Sequence, residues 1–450
     1  MWYNISMKKK NTKKGFIRKF KKLRPWARIA LLVIFIGILG LGYKGVSGFL
    51  DSCDHDYFTQ SQYAEGCEGE ISPDCEEAIC DFLNQFYYAQ SQIPEGMEYY
   101  EYEQEAIDSY IPDMTVCFAK PGGSAAWLWQ SSLRFLITAR TISPVKLAID
   151  DIHFDLEYLS VNQGENTCKV SFKESAQFRF AFMSDKVSES YKMPCEMKLK
   201  KVDGDWKIVS YYREDDFSTI AEGFYENLLA SGYSKSKAAK GVFKKCMNYY
   251  IPLLEKKDTE MENANNGLVS YDDVTCDKSY DRETALEYAQ KYVKERNSEK
   301  WGVYDEIGGN CQNFGSQVLY NGGIPMDVEG DALWKYYSDV IDETSANTGR
   351  TASWTGAPFF YNYAKTNKGF GLVATVDANL FTAEPGDILQ VGPKKGEMTH
   401  TNVVVGTITN EEDQIVDVII NSNTNNRVNW PMYASLSKAY SLIKIHGANQ

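Results

Sequence analysis

The sequence predicts an α+β multidomain chain, and three observations carry that prediction. A basic segment followed by a long apolar run opens the chain. Between residues 75 and 216, helix-like segments give way to alternating, strand-like ones. In the last third, Cys311 begins a helix-like pattern and His400 stands at the mouth of an apolar, strand-like run.

The N-terminal run reads WARIALLVIFIGILGLGY from Trp26 to Tyr43, apolar except for Arg28. A bilayer-spanning helix needs roughly 20 apolar residues, and Gly45, Val46, Phe49 and Leu50 extend the run to that length. Lysines and arginines crowd before it, and no Asp or Glu occurs before Asp51. By the positive-inside rule, residues 1–25 are a basic cytoplasmic tail, residues 26–50 a transmembrane helix, and the remainder exported. The expected location is therefore the cell membrane, single-pass, with the lipid bilayer as a partner. A cleaved signal peptide would want a shorter apolar core and a small-residue cleavage site. A buried core helix would not carry so one-sided a flank.

Charge divides at the same point. Residues 1–50 hold twelve Lys and Arg and no acid, leaving 36 basic against 61 acidic residues beyond them. So acidic a surface argues against nucleic acid as a ligand. Some 400 residues past the apolar run are more than one domain usually holds, so two or three are expected. Four of the ten cysteines (Cys53, Cys67, Cys75 and Cys80) crowd into a short acidic stretch. In an oxidising exterior, disulfides among them would order a membrane-proximal segment, residues 51–74. A metal knuckle is the rival, but the spacings lack a paired C-x-x-C pattern. His55, His153, His400 and His446 never pair at ligand spacing, so no metal and no other cofactor is expected.

Apolar positions Ile79, Phe82, Leu83, Phe86 and Tyr87 predict a helix over 75–92, and a second is expected over 100–110. From Lys146 the period changes to two. Ile152, Phe154, Leu156 and Tyr158 alternate with polar residues, and three further strand-like segments follow, the last two joined by Asp203-Gly204, a tight hairpin signal. Helices followed by a meander that ends in Trp206-Lys207-Ile208-Val209 resemble the NTF2-like α+β cone over residues 75–216. That resemblance implies a spacer or binding module. Residues 217–277 read as a helical linker region ending in the Asn-rich TEMENANNG, with a domain boundary near 258–278.

The chemistry lies beyond that boundary. Asp281 caps an amphipathic helix over DRETALEYAQKYVKERN. After Gly308-Gly309 come Asn310-Cys311-Gln312-Asn313-Phe314, and Phe314, Val318 and Leu319 continue at helical spacing. Cys311 thus falls at a helix N-terminus, where unpaired N–H groups and the dipole favour a thiolate. The backbone N–H of Cys311 can serve as an oxyanion donor. His400 precedes the apolar Val403-Val404-Val405. A turn near Asn410 folds the strand Ile415–Ile420 back, so residue 400 faces residue 420, give or take two. Asn423 or, alternatively, Asn421 then lies alongside His400. A thiol, an imidazole and an amide that orients the imidazole form the Cys-His-Asn arrangement of acyl transfer.

At these residues the chain resembles a known family. YDRETALEYAQKYV, NCQNFGSQVLYNGGIPM, the Trp334 and Trp354 segments, PGDILQV and THTNVVVG occur in the order of an amidase-domain family of Gram-positive bacteria. That family is similar to the NlpC/P60 and CHAP branches of the papain-like superfamily. The resemblance covers roughly residues 278–446. It implies that 278–450 form a papain-like α+β domain with Cys311 as nucleophile, His400 as general base and a third polar position near Asn423. Two departures stand out. Asn310 and Gln312 replace the family's usual Asp and Thr around the cysteine, and Asn423-Thr424 replaces a common His-Thr pair. The expected function is an extracytoplasmic thiol amidase or peptidase acting on cell-wall (peptidoglycan) peptides. The alternative is a non-catalytic envelope-binding or scaffolding protein with a degenerate domain.

Overall fold

Alternation of apolar and polar residues writes the long strands of the middle module. The computed structural model describes residues 56–450 apart from 95–102, 272–273, 330–332, 343, 346 and 437–438. It begins with β1 (Phe58–Tyr63), α1 (Pro73–Ser91), α2 (Gln104–Asp108) and α3 (Ser124–Thr141). The meander follows: β2 (Ile149–Gln163), β3 (Thr167–Phe180), β4 (Ser188–Val202) and β5 (Asp205–Arg213). On β2, Ile152, Phe154, Leu156 and Tyr158 all point inward, while His153 is exposed beside Asp151. The β4–β5 turn is Asp203-Gly204, both residues at positive φ as a tight hairpin requires.

Two helices, α4 (Asp216–Ala230) and α5 (Lys235–Asn265), lead to the C-terminal module. Asp215 caps α4 by accepting from the Ser218 N–H at 2.9 Å. The Asn-rich stretch read as a linker is helical, because tertiary contacts hold the end of α5. Buried Lys257 donates to the Met432 carbonyl at 2.8 Å, and the Glu260 carbonyl accepts from Asn379 at 2.8 Å. Then come β6 (Lys278–Ser279), α6 (Arg282–Tyr292), α7 (Cys311–Asn321), α8 (Ala352–Thr355) and α9 (Ala357–Thr366). The strands β7 (Gly371–Ala378), β8 (Ile388–Gly392), β9 (His400–Thr409), β10 (Ile415–Ser422), β11 (Arg427–Pro431) and β12 (Ala439–Asn449) complete the chain.

One mixed sheet runs through both modules in the order β1-β2-β3-β4-β11-β10-β9-β8-β12-β6, with β5 on β4 and β7 on β12. The seam is the short antiparallel pairing of β4 with β11, Ser190 opposite Arg427 and Glu189 opposite Val428. Beyond it the sheet is covered on both faces. Phe314, Val318 and Val403 belong to a core shared with α6, α7 and α9. Leu389, Val404, Ile420 and Trp430 belong to the core that continues into the middle module. The module expected to act as a spacer therefore packs directly against the sheet that carries His400.

The single-pass membrane reading is corrected here. No helix among the described residues is long and apolar enough to cross a membrane. The 31-residue α5 has the length but is studded with Lys and Glu, a composition that hydrocarbon does not tolerate. Residues 1–25 and 26–50, on which that reading rested, lie outside the described residues. The transmembrane helix and the membrane location are accordingly withdrawn. In the cysteine-rich stretch, Cys67 and Cys75 are free thiols, and Cys75 and Cys80 are buried on α1. Cys53 lies outside the described residues.

Candidate active site

The loop that delivers Cys311 depends on two glycines. Gly308 and Gly309 have φ of 98° and 100°, a region that residues with a Cβ rarely adopt. A Cβ on Gly309 would also press on the Thr424 side chain at 3.3 Å. Gly309→Ala is therefore expected to cost about 1–3 kcal/mol and to displace Cys311. A melting temperature matching wild type, with unchanged Cys311 alkylation, would contradict this.

Around the cysteine each neighbour has a structural task. The Asn310 N–H donates to Thr424 Oγ1 at 2.7 Å, and its side-chain amide donates to Asn423 Oδ1 at 2.9 Å. Gln312 is fully buried against the sheet. Its Oε1 accepts from Thr401 Oγ1 at 2.8 Å and Gln390 Nε2 at 3.0 Å, and its Nε2 donates to Ser316. Asn313 donates to the Gly302 carbonyl and accepts from Trp354 Nε1, both at 2.9 Å. These bonds pin the start of α7 to β8, β9 and the loop after β10.

Asn310 and Asn423 face one another as a donor–acceptor pair. Both are at most 2 % exposed, where an unmatched amide would be costly. Gln312 is likewise satisfied through both ends of its side chain.

The structure brings Cys311 and His400 together. The two groups lie close enough for each to shift the other's ionisation, and the backbone N–H groups of Thr401 and Gln312 also favour the Cys311 thiolate. Burial pushes the Cys311 thiol up, but His400 and the two N–H groups outweigh it and leave the thiol below its ordinary value. Burial pulls His400 down, yet the charge of Cys311, helped by Asp216 and opposed by Arg427, raises it above the ordinary imidazole value. Opposite shifts of this kind favour a thiolate–imidazolium pair.

The two asparagines considered for the third place are engaged elsewhere. Asn423 donates to the Val293 carbonyl at 2.7 Å besides accepting from Asn310. Asn421 accepts from the Asn429 N–H at 2.8 Å. The β9–β10 register sets Val403 opposite Asn421, so continuing it places residue 424, not 420, across from His400. His400 Nε2 is buried and has no hydrogen-bond partner among the described residues. The charged groups near the imidazole come instead from further off in sequence, Asp216 on α4 and Arg427 on β11. Both line, with His400, a cavity of about 450 Å³ between the two modules. Sequence spacing gave no signal for either.

No group of His, Cys, Asp and Glu able to hold a metal ion occurs among the described residues. Comparison with known proteins bears on the same region. No solved structure matches the chain. The Bacillus subtilis (strain 168) protein described as "Uncharacterized protein YhbB" is 32% identical over 130 residues, which is 28% of this chain and 37% of that protein. The chain therefore spans little more than a third of that relative's length. Residues 279–446, which contain Cys311, His400 and all the asparagines above, match the family described as "Putative amidase domain".

Proposed function

We propose that the C-terminal module is a thiol amidase or peptidase, with Cys311 as nucleophile and His400 as its acid–base partner. The observation that carries this reading is the juxtaposition of Cys311 with His400, each displacing the other's pKa in the opposite direction, inside a region that matches an amidase-domain family. The thiolate adds to the amide carbonyl carbon, and the carbonyl oxygen becomes an oxyanion facing the N-terminus of α7. The Cys311 backbone N–H is the expected donor there. The intermediate collapses by breaking the C–N bond as His400 gives its proton to the leaving amine. Water, deprotonated by His400, then cleaves the thioester and releases the acid. Peptide amides, including those of cell-wall peptides, are the substrates to try first.

Two measurements test this. Cys311 should react with iodoacetamide at pH 6 faster than buried Cys195 and Cys246, which burial shifts the opposite way, Cys246 to about 12. Incubation with peptide substrates should release new amines. Failure of both would favour the non-catalytic binding reading.

A further inference from the structure

Arg427 is 7% exposed, yet no carboxylate lies within 4.0 Å of it among the described residues. One nitrogen, Nη1, donates to Ser190 Oγ at 2.9 Å and to the Asn426 carbonyl at 3.3 Å. Nε and Nη2 make no hydrogen bond among the described residues and are not sealed from the cavities whose wall Arg427 forms. Arg140, 6% exposed, is in a similar position. Its Nη1 donates to Gln90 at 2.6 Å, while its buried Nε has no partner. Arg140 and Arg427 meet at a second, smaller cavity of about 40 Å³, which shares Asp215, Asp216, Arg427 and Trp430 with the larger one beside His400. Burying a guanidinium without an anion is costly. A second buried arginine beside the first repels it and adds to that cost.

Position says which part of a substrate would supply the anion. The larger cavity is lined by His400 but not by Cys311. His400 must protonate the departing nitrogen, so a group filling that cavity lies beyond the scissile bond, on the leaving side. Of the carboxylates that line it, Asp215 is already paired with Arg213 at 2.5 Å and with the Ser218 N–H. Asp216 accepts only from Asn425 at 3.4 Å, and Glu214 is exposed at the mouth. The obvious competing account makes Arg427 a structural cation balanced at a distance by Asp215 and Asp216. That account leaves the free N–H groups of Arg427 and the orphaned Nε of Arg140 without acceptors.

We propose that the cavity between the modules is a leaving-group subsite, in which Arg427, backed by Arg140, binds a free carboxylate carried by the leaving amine. The preferred substrate class is then a peptide cleaved before its C-terminal residue, with an amino acid as the leaving group. Planar, charge-assisted pairing of guanidinium with carboxylate supplies the recognition. This inference rests on the amidase reading for the direction of cleavage.

The test uses two pools of N-acetyl dipeptides, identical except that one ends in a carboxylate and the other in a primary amide. The full-length Cys311→Ala protein should bind the acid pool at least about tenfold more tightly than the amide pool, read by calorimetry. Arg427→Met, checked for native circular dichroism, should lose that preference. Equal binding, preference for the amides, binding of neither pool at millimolar concentration, or a preference that survives Arg427→Met would overturn the subsite. Wild-type protein reports separately on the amidase reading. Amine release from both pools at equal rates sustains that reading and overturns the subsite. Acid-selective binding that Arg427→Met abolishes, without amine release from either pool, sustains carboxylate binding at Arg427 but overturns both the amidase reading and the leaving-group assignment.

Discussion

Amide hydrolysis is expected to fall by on the order of 10³-fold or more in Cys311→Ala and, separately, in His400→Gln. The double variant should be no worse than the more impaired single one. The two side chains form one unit, since each holds the other in its charged state, and deleting either removes the nucleophilic ion pair. The pH profile follows from the directions of the shifts. Cys311 lies below its ordinary value, so the thiolate persists into a range where a free thiol is protonated. His400 lies above its ordinary value, so the imidazolium persists upward. Hydrolysis should rise through the Cys311 pKa and fall through that of His400. In His400→Gln, burial of the sulfur remains while the opposing charge is gone, so the alkylation midpoint of Cys311 should move up. Multiplicative losses in the double variant, or an unmoved alkylation midpoint in His400→Gln, would show that the two residues act independently.

What was legible in the sequence is what short-range chemistry dictates. The Gly308-Gly309 turn, the helical spacing after Cys311 and the apolar run after His400 each state a local conformation, and the structure has all three. The roles of Asn423 and Asn421 were not legible. A hairpin argument fixes an approximate register, but hydrogen-bond partners such as Val293 and Asn429 arise from packing. Arg427 comes near His400 through the β11–β10–β9 pairing, and Asp216 belongs to the middle part of the chain that β4 joins to β11, a contact between distant segments that no local pattern signals. The Asn-rich end of α5 shows the same override, since propensity there favours a break while Lys257 and Glu260 are held by the C-terminal module. The departures at Asn310 and Asn423, read one at a time, suggest a degenerate motif. In the structure the two side chains bond to each other.

Arg213→Met is expected to destabilise the chain by about 3–5 kcal/mol at pH 8, because it strips the counter-charge from two buried carboxylates. Arg213 is 5% exposed and pairs with Glu174 and with Asp215, while the Tyr87 hydroxyl also donates to Glu174. Asp215 is the N-cap of α4, so the loss reaches the segment that places Asp216 on the cavity wall. The pH dependence has a definite sign. Burial already raises Asp215 above its ordinary value, and Arg213 is the largest influence holding it down. Without Arg213 its folded-state pKa moves further above the unfolded one, so ionising it opposes folding. The penalty is complete above that raised pKa and shrinks as the pH falls toward the ordinary carboxylate range, where the group is protonated in both states. Urea denaturation of wild type and variant at pH 8 and pH 5 measures the difference directly. A loss below about 1 kcal/mol at pH 8, the size typical of an exposed pair, or a loss that grows toward pH 5, would mean that the network is solvated. Arg213 would then be a surface cation, and α4 would owe its position to the apolar contacts of Phe217 and Ala221 alone.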